Sequence, residues 1–165
     1  MNTRIESSDI EDPDTPSLIA HIVQRYHEAH RRELPELVRL SSRVEAVHRD
    51  HPSVPGGLAD ALERLSGDLG SHMAKEEAAL FPLMLDGGHP MIAHPIAQMR
   101  HEHDDHGAAI GEIREICRGF VLPADACRSW RTLYAGAEKL VVDLAEHVLL
   151  ENGVLFPRFE APVGL

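Results

Sequence analysis

Cysteine, aromatic side chains and positive charge are all scarce in this chain, and each shortage excludes something. Two cysteines, Cys117 and Cys127, in 165 residues are too few for a disulfide framework. They read as reduced thiols without a role. Lys and Arg number 16 against 27 Asp and Glu, for a net charge of −11. That sign repels phosphate backbones and acidic bilayers, and no Lys/Arg cluster with interleaved aromatics offsets it, so nucleic acid is not an expected partner. No apolar run approaches the length of a membrane span. The opening "MNTRIESSDIEDPDTP" has neither the basic start nor the apolar stretch of a secretory signal. These absences predict a cytoplasmic protein that avoids membranes, with residues 1–16 as a disordered acidic tail and one domain over residues 17–160.

Histidine, by contrast, is abundant: there are 12. In a chain poor in cysteine and rich in carboxylates, that excess points to hard or borderline metals rather than a thiolate site. Two stretches order some of them, "HMAKEEAALFP" from His72 and "HVLLENGVLFP" from His147, 75 positions apart. His-xxx-acid pairs alone carry little weight, because roughly two should arise by chance here, and His101 with Asp105 is a third. The weight lies in the shared context. Meeting Leu-Phe-Pro again at one fixed offset is a chance on the order of one in several thousand. An Asp-Leu pair also precedes both copies, Asp68-Leu69 and Asp143-Leu144, which favours an internal duplication.

The apolar spacing predicts four helices. Ser17 is the expected cap of the first, which runs to about Asp50 with a kink or local break at Pro35. The second spans Leu58 to about Met84, the third Pro95 to about Arg118, and the fourth Pro123 or Ala124 to Pro157. No segment alternates apolar and polar residues long enough to be a strand. The expected fold is all-α, an up-down-up-down four-helix bundle with an internal two-fold duplication. Counting residues from each histidine to its helix end predicts that the first and fourth helices overhang the other two by roughly eight residues at one end.

Residues four apart on a helix share a face, so His72 with Glu76, and His147 with Glu151, each aim a nitrogen and a carboxylate at one point. His27 and His103 stand 76 apart on the other two helices. Four imidazoles and two carboxylates then converge on the bundle axis, an arrangement that suits two metal ions with bridging carboxylates. Iron or manganese fits these ligand types, and ligand type alone leaves zinc open. Asp68 and Asp143, one turn back, are candidate acceptors for the far ring nitrogens of ligating histidines. His48 lies about 31 Å along the helix from His27 and falls outside the site. His30 and His106 are placed beside the pocket or at the surface, and His21, His51, His89, His94 and His101 on the surface or in loops. The Phe81-Pro82 and Phe156-Pro157 pairs read as packing and helix bends.

The stretches "RYHEAHRRELPEL", "VEAVHRDHPSVPGGL", "SHMAKEEAALFP", "MRHEHDDHG", "PADACRSWRTLYAG" and "DLAEHVLLENGVLFPR" cover most of 18–158. Together they resemble the di-iron "repair of iron centres" family, a hemerythrin-like (HHE) group. The resemblance implies a non-haem di-iron centre bridged by Glu76 and Glu151, with His27, His72, His103 and His147 as terminal ligands. It also implies a role in restoring iron-sulfur clusters damaged by nitric oxide or peroxide. The expected small ligands are nitric oxide, oxygen or peroxide, and the expected macromolecular partners are iron-sulfur client proteins. Nitric oxide or peroxide reduction and iron donation are the activities in view. An oxygen or nitric oxide sensing module and a peroxide-consuming oxidase are the alternatives. The family commonly carries a further N-terminal domain with a cysteine pair, whereas this sequence begins almost at the bundle. Relative to oxygen-carrying hemerythrins, Gly107 stands where a second histidine would follow His103 by four residues, which predicts a more open iron.

Overall fold

The computed structural model describes residues 12–161. Residues 1–11 of the expected tail lie outside them; residues 12–14 precede the first helix, which takes in the rest. All regular structure among the described residues is helical. The first helix covers 15–47, the second 58–85, the third Ala93–Ile116 and the fourth 128–158. They form the expected bundle. No described helix is long and apolar enough to cross a membrane.

The first helix starts two residues earlier than its predicted cap. Asp14 rather than Ser17 is the cap, its carboxylate accepting the Ser17 backbone N–H at 2.9 Å, while Pro16 occupies a first-turn position that needs no donor. The helix runs through Pro35 without ending. The fourth helix starts later than predicted, at Arg128, because Pro123 lies in a preceding turn closed by Ala126 N–H on the Pro123 carbonyl. Counted from the site histidines, the first and fourth helices run about six residues further than the other two, against the roughly eight expected. In that overhang His48 packs on Trp130 at 5.0 Å. Nearer the site, Leu37 packs so closely on Gly136 that a Cβ at that glycine would lie 2.7 Å from Leu37 Cδ2.

Among the described residues three π-helical turns interrupt the bundle, at Val23–His27, Glu76–Leu80 and Glu151–Leu155. In the last two the Phe81 and Phe156 amides reach back five residues to the carbonyls of Glu76 and Glu151. Pro82 and Pro157 follow at once, and neither has an N–H for the carbonyl four residues back, so the α-helical ladder is already broken there.

The apolar side chains separate into two blocks. The larger contains Leu34, Leu62, Leu65, Trp130, Leu133 and Leu140. The smaller contains Leu18, Ile22, Leu80, Met84, Ile96 and Phe156. Between them lies a layer of buried polar side chains: His27, His30, His72, Glu76, His103, His106, His147 and Glu151, none more than 3% exposed.

Candidate metal centre

Burying so many ionisable groups is costly unless they bind one another or an ion. The π-turns place the two glutamates at the middle of the layer, each at the first position of its turn. Two groups of four ligand atoms result, His27, Glu76, His147 and Glu151 in one, His72, Glu76, His103 and Glu151 in the other, each with its donor atoms within 4.8 Å of one another. Both glutamates belong to both groups. Glu76 Oε2 lies 3.2 Å from His27 Nε2 and its Oε1 3.0 Å from His72 Nε2. Glu151 Oε1 lies 2.9 Å from His147 Nε2 and its Oε2 2.9 Å from His103 Nε2. Each carboxylate therefore spans the two groups with one oxygen apiece, as a bridge between two ions requires.

The imidazoles are oriented alike. His27 and His147 bring their Nε2 atoms to 3.2 Å, and His72 and His103 theirs to 3.1 Å. All four Nδ1 atoms point outward. His72 Nδ1 donates to Glu102 at 3.1 Å, His103 Nδ1 to Asn152 Oδ1 at 2.7 Å, and His147 Nδ1 to His30 Nε2 at 3.2 Å. His27 Nδ1 faces Glu77, 3.6 Å away. Glu77 and Glu102 are themselves held by Arg31 and Lys75. A proton kept on Nδ1 by an outer acceptor leaves the Nε2 lone pair free to face a metal. Apart from the imidazole nitrogens, neither Glu76 oxygen, nor Glu151 Oε2, has a hydrogen-bond donor. Buried acceptors left so are expected where a cation completes them. The donor set fits two borderline or hard ions, with imidazole and carboxylate and no thiolate.

Electrostatics describe the same need. Burial opposes protonation of His27, but hydrogen bonds to Glu151 and Glu76 and their charges outweigh it and raise its pKa to about 9. His72 is raised too, burial being outweighed chiefly by Glu76. Burial would raise Glu151, yet the charge of His147 and hydrogen bonds from the surrounding histidines bring it well below its usual range. Without metal the layer holds protons where ions would sit.

Every sequence-derived ligand candidate (His27, His72, Glu76, His103, His147 and Glu151) falls within these groups. The outer partners are different from those expected. Asp143 is taken by Arg25 at 2.9 Å and Lys139 at 2.7 Å and touches no ligand histidine. Asp68 is exposed and lines a cavity of about 240 Å³ with Glu102 and His106. His30 and His106 are buried beside the groups rather than at the surface, with burial lowering both pKa values to about 3. Phe81 and Phe156, expected to pack and to mark helix bends, stack their rings on His27 and His103 at 5.7 Å. Gly107 is open on its Cβ side, while His106, one residue earlier, brings its ring to 4.8 Å from His72.

A four-helix bundle enclosing two carboxylate-linked imidazole groups defines a hemerythrin-like dinuclear metal protein. The hemerythrin HHE cation binding domain matches residues 18–159, and the chain belongs to that family. Its cofactor is accordingly a pair of non-haem irons, for which the two buried groups supply the donors. Curated relatives named iron-sulfur cluster repair protein YtfE are similar over most of the chain. The protein from Pectobacterium carotovorum subsp. carotovorum is 42% identical over 93% of this chain and 69% of its own length. Those from Dickeya chrysanthemi and an Enterobacter species are 45% and 47% identical over 86% of this chain and 64% of theirs.

Proposed function

We propose that this chain is a cytoplasmic di-iron protein that restores iron-sulfur clusters damaged by nitrosative or oxidative stress. His27 and His147 would hold one iron and His72 and His103 the other, with Glu76 and Glu151 each offering one oxygen to either. The observation that carries this reading is the sharing: two glutamates, each with one oxygen in either group. The family and the relatives' shared name support the assignment of the chemistry.

When bound, the irons supply Lewis acidity and redox equivalents toward nitric oxide, oxygen or peroxide. The chain's part is to orient the imidazoles through Glu102, Asn152, His30 and Glu77, and to keep bulk water out with the apolar blocks on either side. Iron-sulfur client proteins are the proposed recipients.

Metal content per chain of anaerobically purified protein, beside Glu76→Ala and Glu151→Ala, tests the ligand set. About two irons are expected in the parent, with both lost in either variant because each bridge serves both ions. Nitric oxide consumption by the reduced protein, and recovery of an apo cluster protein mixed with it, then test the activity. One zinc per chain, or iron unaffected by either substitution, overturns the assignment.

A further inference from the structure

We infer that Cys127 and His48 form a second reactive site, at the opposite end of the bundle from the irons, where a nucleophilic thiol exchanges with small anionic disulfides. Cys127 caps the 23-residue α-helical part of the fourth helix, its Sγ accepting the Trp130 backbone N–H at 3.5 Å. His48, at the end of the first helix, places Nε2 3.1 Å from that sulfur. The imidazole is held in place. Its ring packs on Trp130 at 5.0 Å, His51 packs on the same indole at 5.0 Å, and Asp125 fixes His51 at 3.1 Å. A thiol hydrogen-bonded to a positioned imidazole at a helix N-terminus is the arrangement from which thiolates react.

The pair opens into a cavity of about 300 Å³ also lined by Arg43, Arg128, Val44 and Val47. Among the described residues no carboxylate lines it. Arg43 and Arg128 make no ion pair among the described residues, as is also true of Arg114, Arg118, Arg131 and Arg158, but they alone of these six line the cavity beside the thiol. Two guanidinium groups without an ion pair flanking a thiol, on a chain of net charge −11, suit a disulfide that bears carboxylates. Cys117 is the internal contrast: it is fully buried, and burial pushes its thiol up to about 12.

In the exchange the Cys127 proton passes to His48 Nε2 and the thiolate attacks one sulfur of the disulfide. That S–S bond breaks as a new one forms to Cys127 Sγ. The departing half leaves as a thiolate and takes the proton back from His48. Cys127 is thereby oxidised to the mixed disulfide and the departing half reduced to a thiol.

The test uses the iron-loaded chain with oxidised glutathione, which is anionic, and cystamine, which is cationic, followed by intact mass and peptide mapping. One adduct is expected, on Cys127 and not on Cys117, formed roughly tenfold faster with glutathione disulfide despite the unfavourable net charge. Arg43→Ala with Arg128→Ala, both at exposed positions, should abolish that preference by slowing glutathione disulfide, without slowing cystamine. His48→Gln should slow both reagents, with helicity and iron content unaltered. Failure of Cys127 to react, equal labelling of Cys117, a faster reaction with cystamine in the parent, or a preference that survives loss of both arginines overturns the proposal.

Discussion

At the scale of single residues the two metal groups are built to one plan and finished differently. The duplication pairs Glu77 with Asn152, which face His27 and His103 respectively. It also pairs Glu102 with Tyr26. Glu102 accepts from His72, whereas Tyr26 stacks on His147 at 5.4 Å and leaves that histidine to donate to neutral His30. A carboxylate acceptor makes its imidazole a stronger ligand than a neutral one does. Glu102→Gln should therefore weaken metal at the His72/His103 group by about tenfold to a hundredfold and leave the other group unchanged; a stepwise iron titration that still shows two undisturbed steps would refute it. Protons report on the layer as well. His27, raised to about 9, stabilises the metal-free fold fully below its unfolded value near 6.5 and loses that contribution as pH rises through 9. His30 and His106, lowered to about 3, contribute stability above 6.5 that is lost as pH falls toward 3. Urea midpoints of metal-free protein should thus peak near neutrality, and the alkaline decline should vanish once iron replaces the protons. A midpoint that climbs steadily from pH 5 to pH 9 is the contrary result. The six ligand candidates were legible because the duplication marked them. Their outer partners were not, since Glu77, Glu102 and Asn152 are ordinary polar neighbours in the sequence, and Asp143, which looked equally suitable, is claimed by Arg25 and Lys139.

Among the elements, the π-turns set the geometry. Each extra residue in the turn offsets the helix beyond it, so that Phe81 and Phe156 reach the His27 and His103 rings from positions five residues after the bridging glutamates. Restoring a donor with Pro82→Ala should let the α-helical ladder close over 76–82. The metal-free protein should then gain thermal stability while iron affinity falls at both groups, because Glu76 serves both; unchanged affinity together with a higher Tm would show that the turn is incidental to the site. Helix number and order could be read from apolar spacing, and so could the overhang of the first and fourth helices. The π-turns were hidden, because a one-residue insertion in hydrogen-bond register leaves no periodic trace in so short a stretch. The ends of helices moved for local reasons, such as the Asp14 cap and the turn over Pro123–Ala126.

For the whole molecule, the larger apolar block and the polar layer divide the labour. Leu65→Ala, in that block and 2% exposed, should cost about 2–5 kcal/mol of unfolding free energy yet leave two irons per chain, as measured by denaturation beside metal analysis; loss of iron in folded protein would show that the block also shapes the centre. The smaller block has another consequence. It is assembled from the start of the first helix, the end of the second, the start of the third and the end of the fourth, segments that fray more readily than helix middles. An ion sealed between two oily plugs departs when the weaker plug breathes. Residence time on the protein is then a property of local opening, set by the fraying of helix ends as much as by the strength of any bond to the metal.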